Sequence, residues 1–220
     1  MSKSNGGRTL HDIIVIGGSA GGLESLTQIV AALPPDLEAA VFVVLHTGAS
    51  APGVLQSILS RPGTIVVKQA EDEELIRPGH VYVPQPGHHL LLYPDRIRVT
   101  RGPMENGFRP AVDPLFRTAA RSFGSRVIGV VLSGALDDGT HGLSLIKQNG
   151  GIAVVQDPQD ALVRSMPRSA CQNVAVDHVV PAARIGPLLV EIVQDRQATH
   201  LRSRGINAME SDDRATPRYR

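Results

Sequence analysis

The 220-residue chain carries 22 basic and 21 acidic side chains, a net charge of +1, and only four Phe, three Tyr and no Trp. That balance argues against a nucleic acid or an anionic membrane surface as partner, and the scarcity of aromatics argues against a base-stacking platform. A single cysteine, Cys171, excludes an internal disulfide and a cysteine zinc cluster, and no apolar run approaches the ~20 residues that cross a bilayer.

Residues 1–11 are polar and Gly-rich, lack the apolar stretch of a secretory signal, and read as a flexible leader of a soluble, cytoplasmic protein. One domain is expected over 12–197. Within it, apolar runs at Ile13–Ile16, Val41–Leu45, Thr64–Lys68, Val127–Leu132 and Ile152–Val155 alternate with helical patterns at Leu23–Leu33, Pro52–Leu59, Pro114–Phe123 and Leu143–Asn149. Continuously apolar strands alternating with helices predict an α/β fold: a doubly wound, mainly parallel sheet with helices on both faces. Residues 75–101 differ. His80–Pro84, Leu90–Tyr93 and Arg96–Thr100 are short and separated by Pro-Gly and Pro-Asp turns, which predicts a small antiparallel hairpin at the sheet edge. Pro187, after Ile185-Gly186, suits the first turn of a last helix reaching about Gln197. The Arg-, Asp- and Ser-rich residues 198–220 read as a disordered tail.

In an open parallel sheet, functional groups collect beyond the carboxyl ends of the strands. The first strand ends in Gly17-Gly18-Ser19-Ala20-Gly21-Gly22, the second in His46, and the strand from Val127 in Ser133-Gly134-Ala135-Leu136-Asp137-Asp138-Gly139. A serine, a histidine and an aspartate thus arrive at one rim on three strands. Such a set performs nucleophilic acyl transfer, with histidine taking the serine proton and aspartate fixing the imidazole. Singly, each has a plainer reading: Ser19 as a helix N-cap, His46 as a satisfied strand-end histidine, Asp138 as the cap of a helix beginning near Gly139. A dinucleotide site fits poorly, because Ser19 occupies the middle glycine position and the next strand ends in His46 rather than an acid. No Gly-Lys-Ser/Thr follows the loop, so it is not a P-loop. A metal site at His88-His89 or Asp137-Asp138 is disfavoured, since adjacent residues seldom converge on one ion. Neither cofactor nor metal is expected.

These motifs together resemble the catalytic domain of the CheB family of chemotaxis protein-glutamate methylesterases. Ile16-Gly17-Gly18-Ser19-Ala20-Gly21-Gly22 resembles the family's nucleophile loop, and Leu45-His46 its histidine. Arg77-Pro78-Gly79-His80-Val81-Tyr82 with Pro86-Gly87 resembles "PGHxYxAP", and Arg109-Pro110-Ala111-Val112-Asp113-Pro114-Leu115-Phe116 resembles "RPSVDxLF". Leu132-Ser133-Gly134 through Asp138-Gly139 resembles "LTGMGxDG", and Met166-Pro167-Arg168-Ser169-Ala170 "MPxxA". The resemblance implies a Ser19–His46–Asp138 triad. Asp138 is selected over Asp137 because the family's aspartate directly precedes the glycine. It also implies an oxyanion held near the backbone N–H groups of Ala20 and Ala135, and a substrate groove lined by Met166 and Arg168. The implied substrates are glutamyl γ-methyl esters, and also glutamine amides, on a methylated chemoreceptor or similar helical signalling protein.

The chain departs from the family pattern in two respects. Only about a dozen residues precede the first strand, so no counterpart of the family's N-terminal receiver domain is expected, and the expected activity is constitutive or governed by a separate protein. Ala20 stands where Thr is common, Ala135 replaces the Met of "LTGMG", Leu136 stands where Gly is usual, and Thr47 follows the histidine where Met is frequent. Leu136 would be strained if its backbone needs φ > 0. Asp113 is expected to cap the helix that starts beside it, and Cys171 to be a small buried residue. His141, three residues past Asp138, is a further residue that could reach the crevice.

Overall fold

The computed structural model describes residues 12–46 and 53–195. The leader, Thr47 and the tail expected over 198–220 lie outside the described residues. All five apolar runs form strands of one parallel sheet: β1 (Ile13–Gly18), β2 (Ala40–Leu45), β3 (Val66–Gln69), β7 (Val127–Val131) and β8 (Ile152–Gln156). With β4 (His80–Val83) and β9 (His178–Val180) the spatial order is β3-β4-β2-β1-β7-β8-β9. Every residue of β1, β2 and β7 is buried, which is why these strands read as unbroken apolar runs rather than alternating ones.

Alternate side chains of the sheet feed two cores. Ile14 and Ile16 pack with α1 (Gly22–Ala31), α2 (Val54–Leu59) and α6 (182–195); Ile13 and Val15 pack with α3 (Val112–Phe123), α4 (Thr140–Gln148) and α5 (Ser165–Asn173). Each fully buried Ile, Leu or Val contributes about 1.5–3 kcal/mol relative to an exposed one, so the two layers fix the strand ends that carry the site.

Two expectations change. His80–Val83 joins the main sheet rather than the hairpin, paired in parallel with both β2 and β3. Its Val81, Tyr82 and Val83 are buried, and Tyr82 stacks on Phe42 with ring centroids 5.1 Å apart. The hairpin consists only of β5 (His89–Leu92) and β6 (Ile97–Thr100), and forms a separate two-stranded sheet. Its Leu90, Leu92 and Ile97 bury into the α3 side of the core, and Thr118 and Ser122 of α3 hydrogen-bond the Leu92 N–H and C=O. The last helix begins at 182, not at Pro187. Gly186 lies inside it because a Cβ there would stand 2.9 Å from the Ile29 carbonyl oxygen and 2.7 Å from Ala32 Cβ. Small size at the α1–α6 contact, not a helix start, explains Gly186. The short α5 and β9 have no counterpart among the expected elements.

Candidate active site

β1 lies at the centre of the sheet, with β2 on one side and β7 on the other. The chain runs from β1 outward to β2 and later returns to β7, so the carboxyl end of β1 is the topological switch point. The pairing continues past the strands. The His46 N–H donates to the Gly18 carbonyl (3.0 Å), and the Ser19 N–H to the Ser133 carbonyl (2.9 Å). Gly22 N–H then closes a turn on the Ser19 carbonyl at 2.9 Å, and α1 begins.

Ser19 rests against a tightly laced floor. The Ser133 hydroxyl donates to the Ala20 carbonyl (2.8 Å) and accepts from Val163 N–H (2.9 Å). Gly134 N–H donates to the Val163 carbonyl, and Met166 N–H to the Gly134 carbonyl. A Cβ on Gly134 would stand 2.1 Å from Met166 Sδ and 2.8 Å from Ser19 Cβ, so only glycine lets the serine and the methionine close on this backbone. Met166 is fully buried and packs beneath the serine loop.

The histidine and the aspartate meet directly. Asp138 Oδ2 lies 2.8 Å from His46 Nε2, and both side chains are almost wholly enclosed. Asp138 Oδ2 also accepts from Val112 N–H (2.7 Å); Oδ1 accepts from Asp113 N–H (3.0 Å) and from the Asn106 amide (2.7 Å). Asp138 therefore caps α3, not the helix that follows it. Asp113, expected to cap its own helix, instead serves α4: its Oδ1 accepts from Gly139 N–H (3.1 Å) and Gly142 N–H (2.7 Å). The two aspartates exchange helix N-termini, and the Asn106 amide bridges them through Asp113 Oδ2 at 2.9 Å.

This wiring separates the two carboxyls electrostatically. For Asp138, burial would raise the pKa, but the bonds from His46, Val112, Asn106 and Asp113 together outweigh it and hold the carboxyl below the ordinary range. For Asp113, burial wins and the neighbouring Asp138 charge adds to it, so its carboxyl is pushed up despite the Gly142 N–H and the Asn106 amide.

The His46 ring is stacked on Phe108, with centroids 3.7 Å apart and planes 8° off parallel. Its Nε2–H is committed to Asp138, and its Nδ1 is buried without a hydrogen-bond partner. The arrangement thus presents an oriented imidazole with a free acceptor lone pair at the end of β2, beside the Gly18–Ser19 backbone.

Ala20 and Ala135 are exposed, and neither backbone N–H is hydrogen-bonded among the described residues. Leu136 has φ 63°, the strained conformation that its replacement of glycine raised, and is 63% exposed. Asp137 is exposed and touches neither His46 nor Asn106 by a hydrogen bond among the described residues. It lines a polar cavity of ≈ 430 Å³ with Asn106, Asp113, Thr140 and His141, so His141 faces Asp113 rather than the serine. Burial pushes the Cys171 thiol up, the opposite of nucleophile activation. His89 is buried with both ring nitrogens on backbone, Nε2 on the Pro103 carbonyl and Nδ1 on Ala111 N–H. Asn106 and Phe108 were not expected from the sequence. Asn106 has φ 53°.

The comparisons with known proteins agree among themselves. The model of the CheB methylesterase family matches residues 14–189. A putative protein-glutamate methylesterase/protein-glutamine glutaminase of Leptospira interrogans is 40% identical over 186 residues, covering 84% of this chain and 96% of that protein. A protein-glutamate methylesterase/protein-glutamine glutaminase of Xanthomonas campestris is 38% identical over 189 residues, but the chain spans only 52% of its length. The crystal structure of the Thermotoga maritima CheB methylesterase catalytic domain superposes with a TM-score of 0.80 at 34% identity, covering 83% of this chain and 98% of that one.

Proposed function

This chain belongs to the CheB methylesterase family and is a protein-glutamate methylesterase; we propose that Ser19, His46 and Asp138 carry out its hydrolysis. In this reading Ser19 Oγ attacks the carbonyl carbon of a glutamyl γ-methyl ester while its proton passes to His46 Nδ1. The oxyanion is received by the N–H groups of Ala20 and Ala135. Collapse breaks the bond to the methoxy oxygen, which takes the proton from Nδ1 and leaves as methanol. Water then adds to the glutamyl-serine ester, giving a proton to Nδ1. That proton returns to Ser19 as the glutamate carboxylic acid is released and ionises. Asp138 keeps the Nε2–H in place and stabilises the imidazolium formed at each step. A glutamine amide follows the same course, with ammonia leaving. The substrate protein we infer is a methylated chemoreceptor.

The observation that carries the reading is the His46 Nε2–Asp138 Oδ2 bond of 2.8 Å together with a buried, unpartnered Nδ1. A lone strand-end histidine would have both nitrogens satisfied, as His89 does. The test is labelling by a serine-directed fluorophosphonate with mass mapping. An adduct on Ser19 that disappears in His46→Ala is expected. No adduct on Ser19 would overturn the assignment and leave a binding crevice.

A further inference from the structure

The segment 162–168 borders the serine closely, yet several of its side chains are spent on nothing in the fold. Val163 N–H donates to the Ser133 hydroxyl, and backbone bonds join Val163 and Met166 to Gly134, which fixes the segment alongside Ser19. Leu162 Cβ lies 2.6 Å from where a Cβ on Gly21 would stand, so Leu162 overhangs the serine loop, and it is 81% exposed. Arg164 and Arg168, one helical turn apart, are exposed, and neither guanidinium is hydrogen-bonded or ion-paired among the described residues. Arg96, Arg98, Arg117 and Arg126 hold carboxylates, whereas Arg61, Arg77, Arg101 and Arg121 are exposed with no guanidinium partner among the described residues. What distinguishes Arg164 and Arg168 is that they share one cavity. With Ser165, Ser169 and Gln172 the two arginines line a cavity of ≈ 260 Å³ at the start of α5.

We propose that Leu162, Arg164 and Arg168 form a docking ledge that selects acidic peptide segments, the two guanidiniums holding carboxylates that flank the scissile glutamyl ester. The inference rests on Ser19 being the nucleophile, because only then does the ledge lie beside the bond that is cleaved. The chemistry fits the occupant. Two unpaired arginines in a half-open cavity match planar, bidentate carboxylate recognition. The helix N-terminus beneath them favours the same charge. An exposed leucine beside them meets the apolar part of the same segment, which removes water from the contact. Such a ledge makes turnover depend on the residues around the ester as well as on the ester itself.

The test uses the full chain and two synthetic peptides carrying one glutamyl γ-methyl ester, flanked at three and four residues either side by glutamate in one and lysine in the other. The wild type should prefer the acidic peptide, with the preference shrinking as salt rises. In Arg164→Glu/Arg168→Glu, kcat/KM for the acidic peptide should fall about tenfold or more, as expected for two exposed attractions turned repulsive, and the lysine peptide should gain. Ser19 labelling by a fluorophosphonate should keep its rate. Equal turnover of both peptides by the wild type, or an unchanged preference in the double variant, would overturn the proposal. A protein that neither labels nor hydrolyses would instead sink the assignment of Ser19, and the ledge with it.

Discussion

The two ends of the crevice are built on opposite rules. At the acid end, Asp138 is 1% exposed and accepts four hydrogen bonds, from His46, Asn106, Val112 and Asp113. At the end where Ser19 is the proposed nucleophile, Ser19 is hydrogen-bonded only through its backbone among the described residues, Ala20 and Ala135 are exposed, and Leu136 is strained. The acid end is thus part of the fold's skeleton, since Asp138 ties α3 to the loop after β7. At the other end only the backbone of Ser19 and Ala20 is tied into the fold, through Ser133, while the Ser19 hydroxyl makes no hydrogen bond among the described residues. The difference teaches that one site can be rigid at the base and open at the reacting atom, so the same kind of substitution should read out differently at its two ends.

The largest effects break the comparison most directly. Ser19→Ala should lower kcat by ~10⁴-fold or more and leave the unfolding free energy within about 0.5 kcal/mol. Asp138→Ala should cost as much activity and also about 3 kcal/mol of stability, because Val112 and Asp113 N–H lose their acceptor in the interior. Asp138→Asn should lower kcat by ~10⁴-fold, whereas Asp137→Asn should stay within about twofold. Steady-state kinetics beside urea unfolding checks all four. A destabilised Ser19→Ala or a fully stable Asp138→Ala would erase the distinction.

Next in size is Asn106. Its amide separates two buried carboxyls, so Asn106→Gly should leave them facing each other. Glycine is the better probe than alanine because φ there is 53°. We expect stability to fall by about 2 kcal/mol and kcat by about 10–100-fold, since the His46 partner is less firmly held. Rates unchanged alongside lost stability would confine Asn106 to the fold.

The strand ends were legible in the sequence because strands buried on both faces appear as unbroken apolar runs, and such runs end where the chemistry collects. Ser19, His46 and Asp138 emerged from that rule, and the structure brings His46 and Asp138 within 2.8 Å. What stayed hidden depends on tertiary partners. Asn106 and Phe108 reach the site from a loop 32 and 62 residues distant in sequence, and no periodicity encodes that approach. The exchange of caps between Asp113 and Asp138 was equally invisible, because a capping residue is read from sequence against its own helix. At His80–Val83 the flanking Pro-Gly turns imitated a hairpin, and at Gly186 a close helix contact imitated a helix start.

A smaller, pH-resolved effect separates the two carboxyls within the acid end. Asp138 has a depressed folded-state pKa, so its contribution to stability is present above the unfolded value of about 3.9 and is lost as pH falls through the folded value. Asp113 is raised, so its contribution is present below that value and is lost as pH rises through its folded pKa. The stability gap between wild type and Asp138→Asn should therefore narrow on acidification, and that of Asp113→Asn should widen. Urea unfolding across pH 2–7 reads both, starting from the unfolded carboxyl range. Gaps that move together would mean the Asn106 bridge fails to set the two carboxyls apart.

The smallest effect lies at the open end. Leu136 holds φ 63° with most of its side chain in water, so the fold gains little packing from it while bearing the strain of a left-handed leucine. Leu136→Gly should raise the unfolding free energy by about 0.5–1 kcal/mol, the relief of strain exceeding the added freedom of the unfolded chain. Fluorophosphonate labelling of Ser19 should keep its rate, because the Ala135 N–H belongs to the backbone. A loss of stability would show that Leu136 packs against the rim after all, and the mouth of the crevice would then be structural too. A gain would confirm that the strain at the mouth is borne by Leu136 itself, above the laced floor that Ser133, Gly134 and Val163 form beneath Ser19.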